Sequence, residues 1–463
     1  MHKEFYWDYL KACDNLVKRF IKESKTISKN AFAIESTSIE KAVANFIWEK
    51  IFFSPLKETY SFQKLQNESG EEIIRSIWKD ILKPLLPLRG NCMESLLKYN
   101  NDNQYKEILQ SYQCTLFFYC KNNRQLTYLL PLINGIAENI VILSFEELDE
   151  DLIQRNNIQI IEVDLIINEV IICQKYIEEK FPRLFFLFNT FSVILDILRP
   201  QKIILLEGCH FDQEILSSVG KAFAIKTICI QQGWPSLTHT RFINMSYDYF
   251  FTWGKILTNL WKQHNLYPKY IETGYIYEVI QKTPIEKTSI AFFFQAPLFI
   301  ISQDTFNKMI DFAFFCAIQF PERKILIREH PEYCFSKNVK EKIKSFSNVE
   351  IATHIPLAEF FSRAIVGVSV FSSTLIEGMA HYTIPFVFNL TSLPRYYPDI
   401  EKKGLGIEVK SCEEAQRRIV LLLNDNYTIQ NILENIYERQ KEYFDCCGKD
   451  AVNKTLKIVE EIN

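Results

Sequence analysis

From Cys114 onward, short runs of β-branched and aromatic residues alternate with longer helical stretches, and this alternation limits the fold more than any other feature. The first runs are "CTLFFYC", "NIVILSF", "IQIIEV", "KIILLEG" and "KTICIQQG". Strands that alternate with helices form a parallel sheet with helices on both faces. The sequence therefore predicts an α/β fold built on a doubly wound sheet.

The alternation pauses at the polar, turn-prone stretch "QKTPIEK", residues 281–287, and begins again with "SIAFFFQ". We therefore predict two Rossmann-like doubly wound domains, residues 113–280 and 281–463, that face each other across a cleft. Residues 1–112 show helical periodicity without this alternation, so we predict a mostly helical N-terminal extension. The last helix of the chain is a candidate to pack back on the first domain.

Composition and charge exclude several classes of protein. The 463 residues carry 53 Lys and Arg against 56 Asp and Glu, a formal net charge of −3, so no basic excess is available to neutralise nucleic-acid phosphates. The N-terminus lacks the apolar block of a secretory signal. The most apolar stretch, Arg183–Leu198, is interrupted by polar residues and is shorter than the roughly 20 residues of a membrane span. We expect a cytoplasmic protein with reduced cysteines.

The N-terminal extension is rich in aromatic residues, and the stretch "AVANFIWEKIFF" places apolar side chains around most of a helix. Two explanations are open. The extension packs on the first α/β domain as an added layer, or it presents an apolar face to a membrane-bound acceptor at the inner face of the membrane.

Two stretches of the second domain carry residues suited to anion binding. In "KILIREHPEY", Arg328 ends a predicted strand and His330 and Pro331 follow it; the proline cannot continue a ladder, so the imidazole is fixed at the sheet edge. The alternative is an incidental histidine at a strand end.

The second stretch, "SVFSSTLIEGMAHYTIPFVFN", predicts strand, turn, helix and strand. Ser372, Ser373 and Thr374 then stand where a helix begins, a position that favours a phosphate. Glu377 shares a helix face with Ser373 and is a candidate to bind ribose hydroxyls. The alternative is an ordinary N-cap with an acid in the first turn.

The H-P pair after one strand and the S-S-T-x-x-E-G stretch after a later one resemble the bacterial inverting glycosyltransferases of the two-domain GT-B type that build surface polysaccharides. The closest pattern is that of the CMP-sugar enzymes, the sialyl-, polysialyl- and Kdo-transferases. The resemblance covers residues from about 114 to 440 and implies phosphate contacts from His330, Ser372 and Ser373. It implies a nucleotide-sugar donor and a glycan or lipid-linked glycan acceptor.

A polar turn after a strand of the first domain, "IQQGW", is similar to one in capsule-type transferases, although Gln232, before Gly233, stands where a histidine is common. An inverting transfer also needs a base. The loop "LLEGCHFDQE" offers Glu207, His210 and Asp212, of which the two acids are our candidates. Alternatively, Asp212 caps the next helix and Glu207 is a solvated strand end.

The sequence predicts no metal and no other cofactor. The D-x-D triplet of Asp149 and Asp151 lies in an acidic, loop-like run that is more typical of a solvated surface. Other functions also stay open: a UDP- or GDP-hexose transferase, a CDP-polyol phosphotransferase, an enzyme like the UDP-N-acetylglucosamine 2-epimerases, or a two-domain scaffold without activity.

Overall fold

The computed structural model describes most of the chain. The described residues are 2–34, 37–57, 75–87, 97–99, 107, 109–112, 114–155, 159–162, 170–172, 175–235, 239–280, 286–297, 301–330, 333–390 and 400–462. The predicted domain boundaries at residues 113 and 281 lie outside them.

Strands and helices alternate along the described chain. The strands are β1 (Ala33–Ile34), β2 (Thr37–Ser38), β3 (Leu97–Tyr99), β4 (Leu116–Tyr119), β5 (Ile140–Ser144), β6 (Gln159–Glu162), β7 (Val170–Ile172), β8 (Lys202–Leu206), β9 (Lys226–Ile230), β10 (Tyr249–Thr252), β11 (Lys269–Glu272), β12 (Ser289–Phe293), β13 (Ile325–Arg328), β14 (Val349–Ile351), β15 (Ala364–Ser369), β16 (Ile384–Phe388) and β17 (Ile407–Val409). The helices are α1 (His2–Ile27), α2 (Glu40–Lys57), α3 (Asn123–Ile133), α4 (Glu150–Arg155), α5 (Lys175–Lys180), α6 (Pro182–Leu198), α7 (Phe211–Ala222), α8 (Lys255–Lys262), α9 (Gln303–Gln319), α10 (Lys337–Lys344), α11 (Leu357–Arg363), α12 (Thr374–Ala380), α13 (Cys412–Asn424), α14 (Asn426–Tyr443) and α15 (Lys449–Glu461).

The first sheet has seven strands in the order β11-β10-β9-β8-β4-β5-β6, and every neighbouring pair is parallel. All residues of β4 and of β8 are buried, as expected for strands covered on both faces. The strand order reverses between β4 and β8. Ligands of doubly wound sheets bind in the crevice outside such a reversal, at the carboxyl ends of the strands.

The second sheet has six parallel strands in the order β14-β13-β12-β15-β16-β17. Its order reverses between β12 and β15, so its crevice lies where these two strands end. The two doubly wound domains and the helical N-terminal segment confirm the predicted fold class.

The N-terminal segment packs on the first domain through α2. Phe46 meets Phe181 and Phe211 edge-on, with ring centroids 6.0 and 5.4 Å apart. Val43 and Ile47 are fully buried, so the described part of α2 forms an added layer on this domain. Within the described ranges, no helix is both long enough and apolar enough to cross a membrane.

The end of the chain returns from the second domain to the first. The backbone N–H of Asp445 donates to the carbonyl of Trp253, and the backbone N–H of Tyr275 donates to the carbonyl of Cys446, each at 2.8 Å. A Cβ built on Gly254 would lie 2.5 Å from the carbonyl oxygen of Tyr443. The backbones therefore approach so closely that only glycine fits there.

Candidate functional site

A tight turn between β8 and α7 places a carboxylate at the crevice of the first domain. Glu207 and Gly208 have φ angles of 79° and 78°, which are strained for the glutamate and natural for the glycine. The buried Gln213 side chain fastens the turn: its Oε1 accepts from the N–H of Gly208 at 3.2 Å, and its Nε2 donates to the carbonyl of Leu206. Such strain persists only where the surroundings hold it in place.

The Glu207 side chain belongs to a polar chain with His210 and Arg241. His210 Nε2 lies 3.1 Å from Glu207 Oε2, and Arg241 Nη2 lies 2.7 Å from His210 Nδ1. Burial would raise the pKa of Glu207, but His210, Arg241 and Arg124 outweigh it and lower this pKa to about 2. The carboxyl group is therefore ionised at neutral pH, and its side chain keeps 35% of its surface exposed.

Glu207 and Arg241 favour opposite protonation states of His210. Burial lowers its pKa, but Cys209 and Glu207 outweigh burial and raise this pKa to about 10. Arg241 can only donate hydrogen bonds, so its contact requires Nδ1 to be an unprotonated acceptor. Protonation of Nδ1 would remove the acceptor for Arg241, whereas Nε2 donates to the Glu207 carboxylate in either state.

Asp212, the other candidate base, is more enclosed. Its carboxylate accepts from the Tyr119 hydroxyl at 2.5 Å and lies 3.2 Å from Lys121 Nζ, and its side chain is 6% exposed. Burial would raise its pKa, but Lys121, His210 and the hydrogen bond from Tyr119 hold it below its ordinary value. This carboxylate links the start of α7 to the end of β4, through Tyr119 and Lys121.

At the crevice of the second domain, the serine stretch has an arrangement that differs from a simple cap. Ser373 donates from Oγ to Glu377 Oε1 at 2.8 Å and makes no side-chain cap hydrogen bond to α12. Ser372 Oγ accepts from the N–H of Thr374 at 3.3 Å. Glu377 is 2% exposed; burial raises its pKa, against the opposing effects of Ser373, Tyr275, Arg124 and Arg328.

Two contacts join the crevices of the two domains. The Tyr275 hydroxyl, from the first domain, donates to Glu377 Oε2 at 3.1 Å, and both side chains are buried. A Cβ on Gly233 would lie 3.3 Å from Ser373 Oγ, so the "QQG" turn faces the serine stretch. Gly233, Ser373 and Glu377 are all predicted site residues, and the structure brings these three together.

Two arginines, one from each domain, interact electrostatically with Glu377. Arg124 follows β4. Burial lowers its pKa, but Tyr128, Glu207 and Glu377 outweigh burial and raise the pKa above its ordinary value. Arg328 ends β13 and donates to the carbonyl of Ile355 at 2.6 Å; its pKa is lowered by burial and by Arg124. The two like charges are therefore electrostatic neighbours.

Arg124 and Tyr128 are not among the residues predicted from the sequence to form the site. Arg124 Cζ lies 5.6 Å from the ring centroid of Tyr128, and that ring lies 4.5 Å from the ring of Tyr277. The sequence nevertheless offers an indication for Arg124, because a cation in the first turn of a helix is unfavourable with respect to the helix dipole. An arginine placed there points to a nearby anion.

For the remaining predicted residues, the structure shows fewer contacts with Glu377 and its neighbours. His330 is half-buried and forms a bridge with Tyr333, whereas Pro331 lies outside the described residues. Gln232 is 8% exposed, and its Oε1 has no hydrogen-bond partner among the described residues. Asp149 stands just before α4, where its side chain accepts from the N–H of Asp151 at 3.0 Å, a helix-start contact.

Glu207, Cys209 and His210 each offer a ligand atom suited to a metal, and these atoms lie within 4.8 Å of one another. Arg241 Nη2 contacts two of the three side chains, His210 Nδ1 at 2.7 Å and Cys209 Sγ at 3.4 Å. A guanidinium donating to these atoms fills the space that a cation would take. The three residues therefore do not fit a metal in this arrangement.

No protein-family model matches the sequence, and no curated protein matches it. Several solved structures do match the fold. A putative UDP-N-acetylglucosamine 2-epimerase from Listeria monocytogenes is 9% identical, with a TM-score of 0.54 over 76% of this chain and 98% of that one. The UDP complex of S. aureus MnaA is 8% identical, with a TM-score of 0.52 over 75% and 96% of the two chains. The UDP-GlcNAc 2-epimerase from Neisseria meningitidis, bound to UDP-GlcNAc, is 12% identical, with a TM-score of 0.51 over 75% and 100%. These similarities confirm the GT-B fold.

Proposed function

We propose that this protein is an inverting glycosyltransferase that uses a nucleotide-sugar donor. One observation carries the proposal: Arg124, which is exposed, and Arg328, which is half-buried, bring like charges from the two domains within electrostatic range of each other and of Glu377. A donor phosphate bound there would offset both charges and draw the domains together. The nearby serine stretch adds hydroxyl donors to such an anion.

The finer assignment follows the sequence resemblance. Our preferred donor is CMP-linked Kdo or sialic acid, and the acceptor is a glycan or glycolipid of a bacterial surface polysaccharide. In this proposal His330, Ser372 and Ser373 contact the donor phosphate. The positive charge of the two arginines serves the leaving phosphate, so the reaction needs no metal ion.

The transfer would be a single displacement. The acceptor oxygen forms a bond to the anomeric carbon of the sugar, while the bond from that carbon to the phosphate oxygen breaks. The electron pair of the broken bond leaves with the nucleotide phosphate, and the hydroxyl proton passes to a carboxylate. Attack from the face opposite the phosphate inverts the anomeric centre.

We assign the base to Glu207 rather than Asp212. Glu207 is the more accessible carboxylate, with 35% of its side chain exposed against 6% for Asp212. Its low pKa depends partly on Arg124, so a donor phosphate that pairs with Arg124 would make Glu207 more basic. His210 then holds the carboxylate in place from its other side.

Epimerisation of a UDP-sugar is the second candidate. It is supported by the fold shared with two UDP-N-acetylglucosamine 2-epimerases, at TM-scores of 0.54 and 0.51. It is also supported by the contact of His210 with Glu207, because inversion of a carbon that bears hydrogen needs groups that remove and return a proton.

One experiment separates these candidates. The purified protein is incubated in D₂O with CMP-Kdo, CMP-sialic acid or UDP-GlcNAc, each with and without candidate acceptors. A transferase releases free nucleotide and leaves the recovered donor without deuterium. An epimerase releases little nucleotide and incorporates deuterium at C2 of UDP-GlcNAc. Failure to bind any of CMP, CDP, UDP and GDP in calorimetry would reject both and favour the scaffold.

The base assignment has its own test. Glu207→Gln should lower kcat by roughly a hundredfold or more, as expected for loss of a general base, and leave the Kd of the nucleotide nearly unchanged. Asp212→Asn should mainly lower stability, because Asp212 is buried between Tyr119 and Lys121. The reverse pattern, with catalysis lost only in the Asp212 variant, would transfer the role to Asp212.

A further inference from the structure

A groove outside the cleft separates the N-terminal helices from the first domain. Its volume is about 1080 Å³, and its walls come from α1, α2, the second half of α7 and the chain between residues 240 and 246. Lys221 and Ala222 line it at the end of α7, whereas Glu207 precedes the start of that helix. The groove is therefore at the opposite end of α7 from the candidate active site.

Lysine is the most frequent residue type in the lining of this groove. Lys18, Lys22 and Lys25 of α1 line one wall; spaced by four and three residues, they share one helix face over about 10 Å. Lys41 of α2 and Lys221 of α7 line the other side. Five lysine side chains therefore line one space, and burial lowers the pKa of one of them, Lys41, to about 8.

The acidic groups nearby are fewer than the lysines. Glu40, the one acidic residue in the described lining, pairs with Lys25. Behind the lining, Asp14 accepts from the N–H of Thr240 at 2.9 Å, and Glu214 accepts from the N–H of Ser246 at 3.3 Å. Arg241 adds a further positive charge near Lys41.

Two of the lysines are held in position and two extend from an exposed helix face. Lys41 Nζ donates to the carbonyl of Thr240 at 2.5 Å. Lys221 donates to the carbonyl of Ser246, and its Nζ lies 3.8 Å above the ring of Tyr267. Lys18 and Lys22 are exposed, so they can reach toward a ligand without breaking an interaction of the fold.

We propose that this groove binds a ligand that carries two or more phosphate groups. Lysine binds phosphate as a point charge, and the row on α1 suits several charges spread along about 10 Å rather than a single ion. The hydroxyl group of Thr37 also lines the groove and can donate to a phosphate oxygen, whereas those of Thr26 and Ser218 donate to the carbonyls of Lys22 and Glu214. The source of the phosphates is either a soluble oligophosphate or the headgroups of anionic lipids.

The test uses the full chain and a matched pair of double charge reversals. Lys18→Glu with Lys22→Glu changes two exposed groove lysines. Lys344→Glu with Lys457→Glu makes the same change in net charge at exposed positions of α10 and α15, which do not line the groove. Binding of inorganic tripolyphosphate is measured by calorimetry, and binding to vesicles of phosphatidylglycerol mixed with phosphatidylcholine by co-sedimentation.

The groove variant should bind at least one of the two probes about tenfold more weakly than the wild type or worse, and the control variant should bind like the wild type. Loss with tripolyphosphate indicates a soluble ligand, and loss with vesicles alone indicates lipid headgroups. Failure of the wild type to bind either probe, or equal loss in both variants, would overturn the proposal. The CMP and UDP affinities of the groove variant should stay unchanged, which separates this site from the cleft.

Discussion

Removal of one hydroxyl between the domains should make the stability of this protein more sensitive to pH. Tyr275→Phe removes the donor to Glu377 Oε2, a contact of 3.1 Å between two buried side chains, and leaves Ser373 as the donor to Oε1. Burial raises the pKa of Tyr275 well above its ordinary value, so this hydroxyl is a donor at any working pH. A hydrogen bond to a charged group contributes about 1.5–3 kcal/mol, and one between neutral groups about 0.5–1.5 kcal/mol.

The sign of the pH effect follows from the direction of the Glu377 shift. Burial raises the pKa of Glu377 above 4.5, so the stability linked to this carboxyl is greatest below pH 4.5 and falls as the pH rises through the folded-state value. Without the Tyr275 hydroxyl that folded-state pKa rises further. The loss from Tyr275→Phe should therefore be about 1 kcal/mol near pH 4.5 and about 2 kcal/mol at pH 8.

The assay is urea unfolding followed by tryptophan fluorescence between pH 4.5 and pH 8. Tyr277→Phe is the matched control, because the Tyr277 hydroxyl contacts only neutral acceptors in the described structure, the carbonyls of Gln231 and Gln232 at 3.3 Å. Its loss should stay at about 1 kcal/mol at every pH. A loss from Tyr275→Phe that does not change with pH would refute the reasoning.

Three further predictions concern the cleft and the extension. His330→Ala should keep the fold and lower donor affinity or rate by roughly ten- to a hundredfold, the value of a charge-assisted hydrogen bond; kinetics near those of the wild type would remove His330 from the site. EDTA should leave transfer unchanged, since Arg124 and Arg328 would supply the positive charge; loss that Mg²⁺ or Mn²⁺ restores would contradict this. Deletion of residues 1–57 should yield insoluble protein, because α2 covers α7 of the first domain; a soluble deletion that binds nucleotide normally would show that the layer is dispensable.

The fold could be predicted because strand-helix alternation is a local property of the sequence. Runs such as "KIILLEG" and "IPFVFN" stand out by composition alone, and they form β8 and β16 as expected. The short pairing of β3 with β7 was not predicted. It joins segments about 70 residues apart, and pairing at that separation leaves little periodic signal in either strand.

The site was predictable only in part, for a similar reason. Ser373 and Glu377 are joined by helical spacing, which the sequence shows directly. Tyr275 reaches Glu377 from 102 residues away, and Arg124 is farther still, so only the folded chain shows these contacts. Arg241 was missed because nothing in its local sequence connects it with His210.

The chain crosses between the two domains at two places, between residues 280 and 286 and again where α14 leads into α15. A body attached to another at two points retains mainly one rotation, about the line through the attachments. The cleft should therefore open and close mainly by a hinge rotation, with little twisting of one domain against the other. Gly233 and Ser373 would then come together in the same relative position each time the cleft closes. A bound donor would therefore approach Glu207 from a fixed direction.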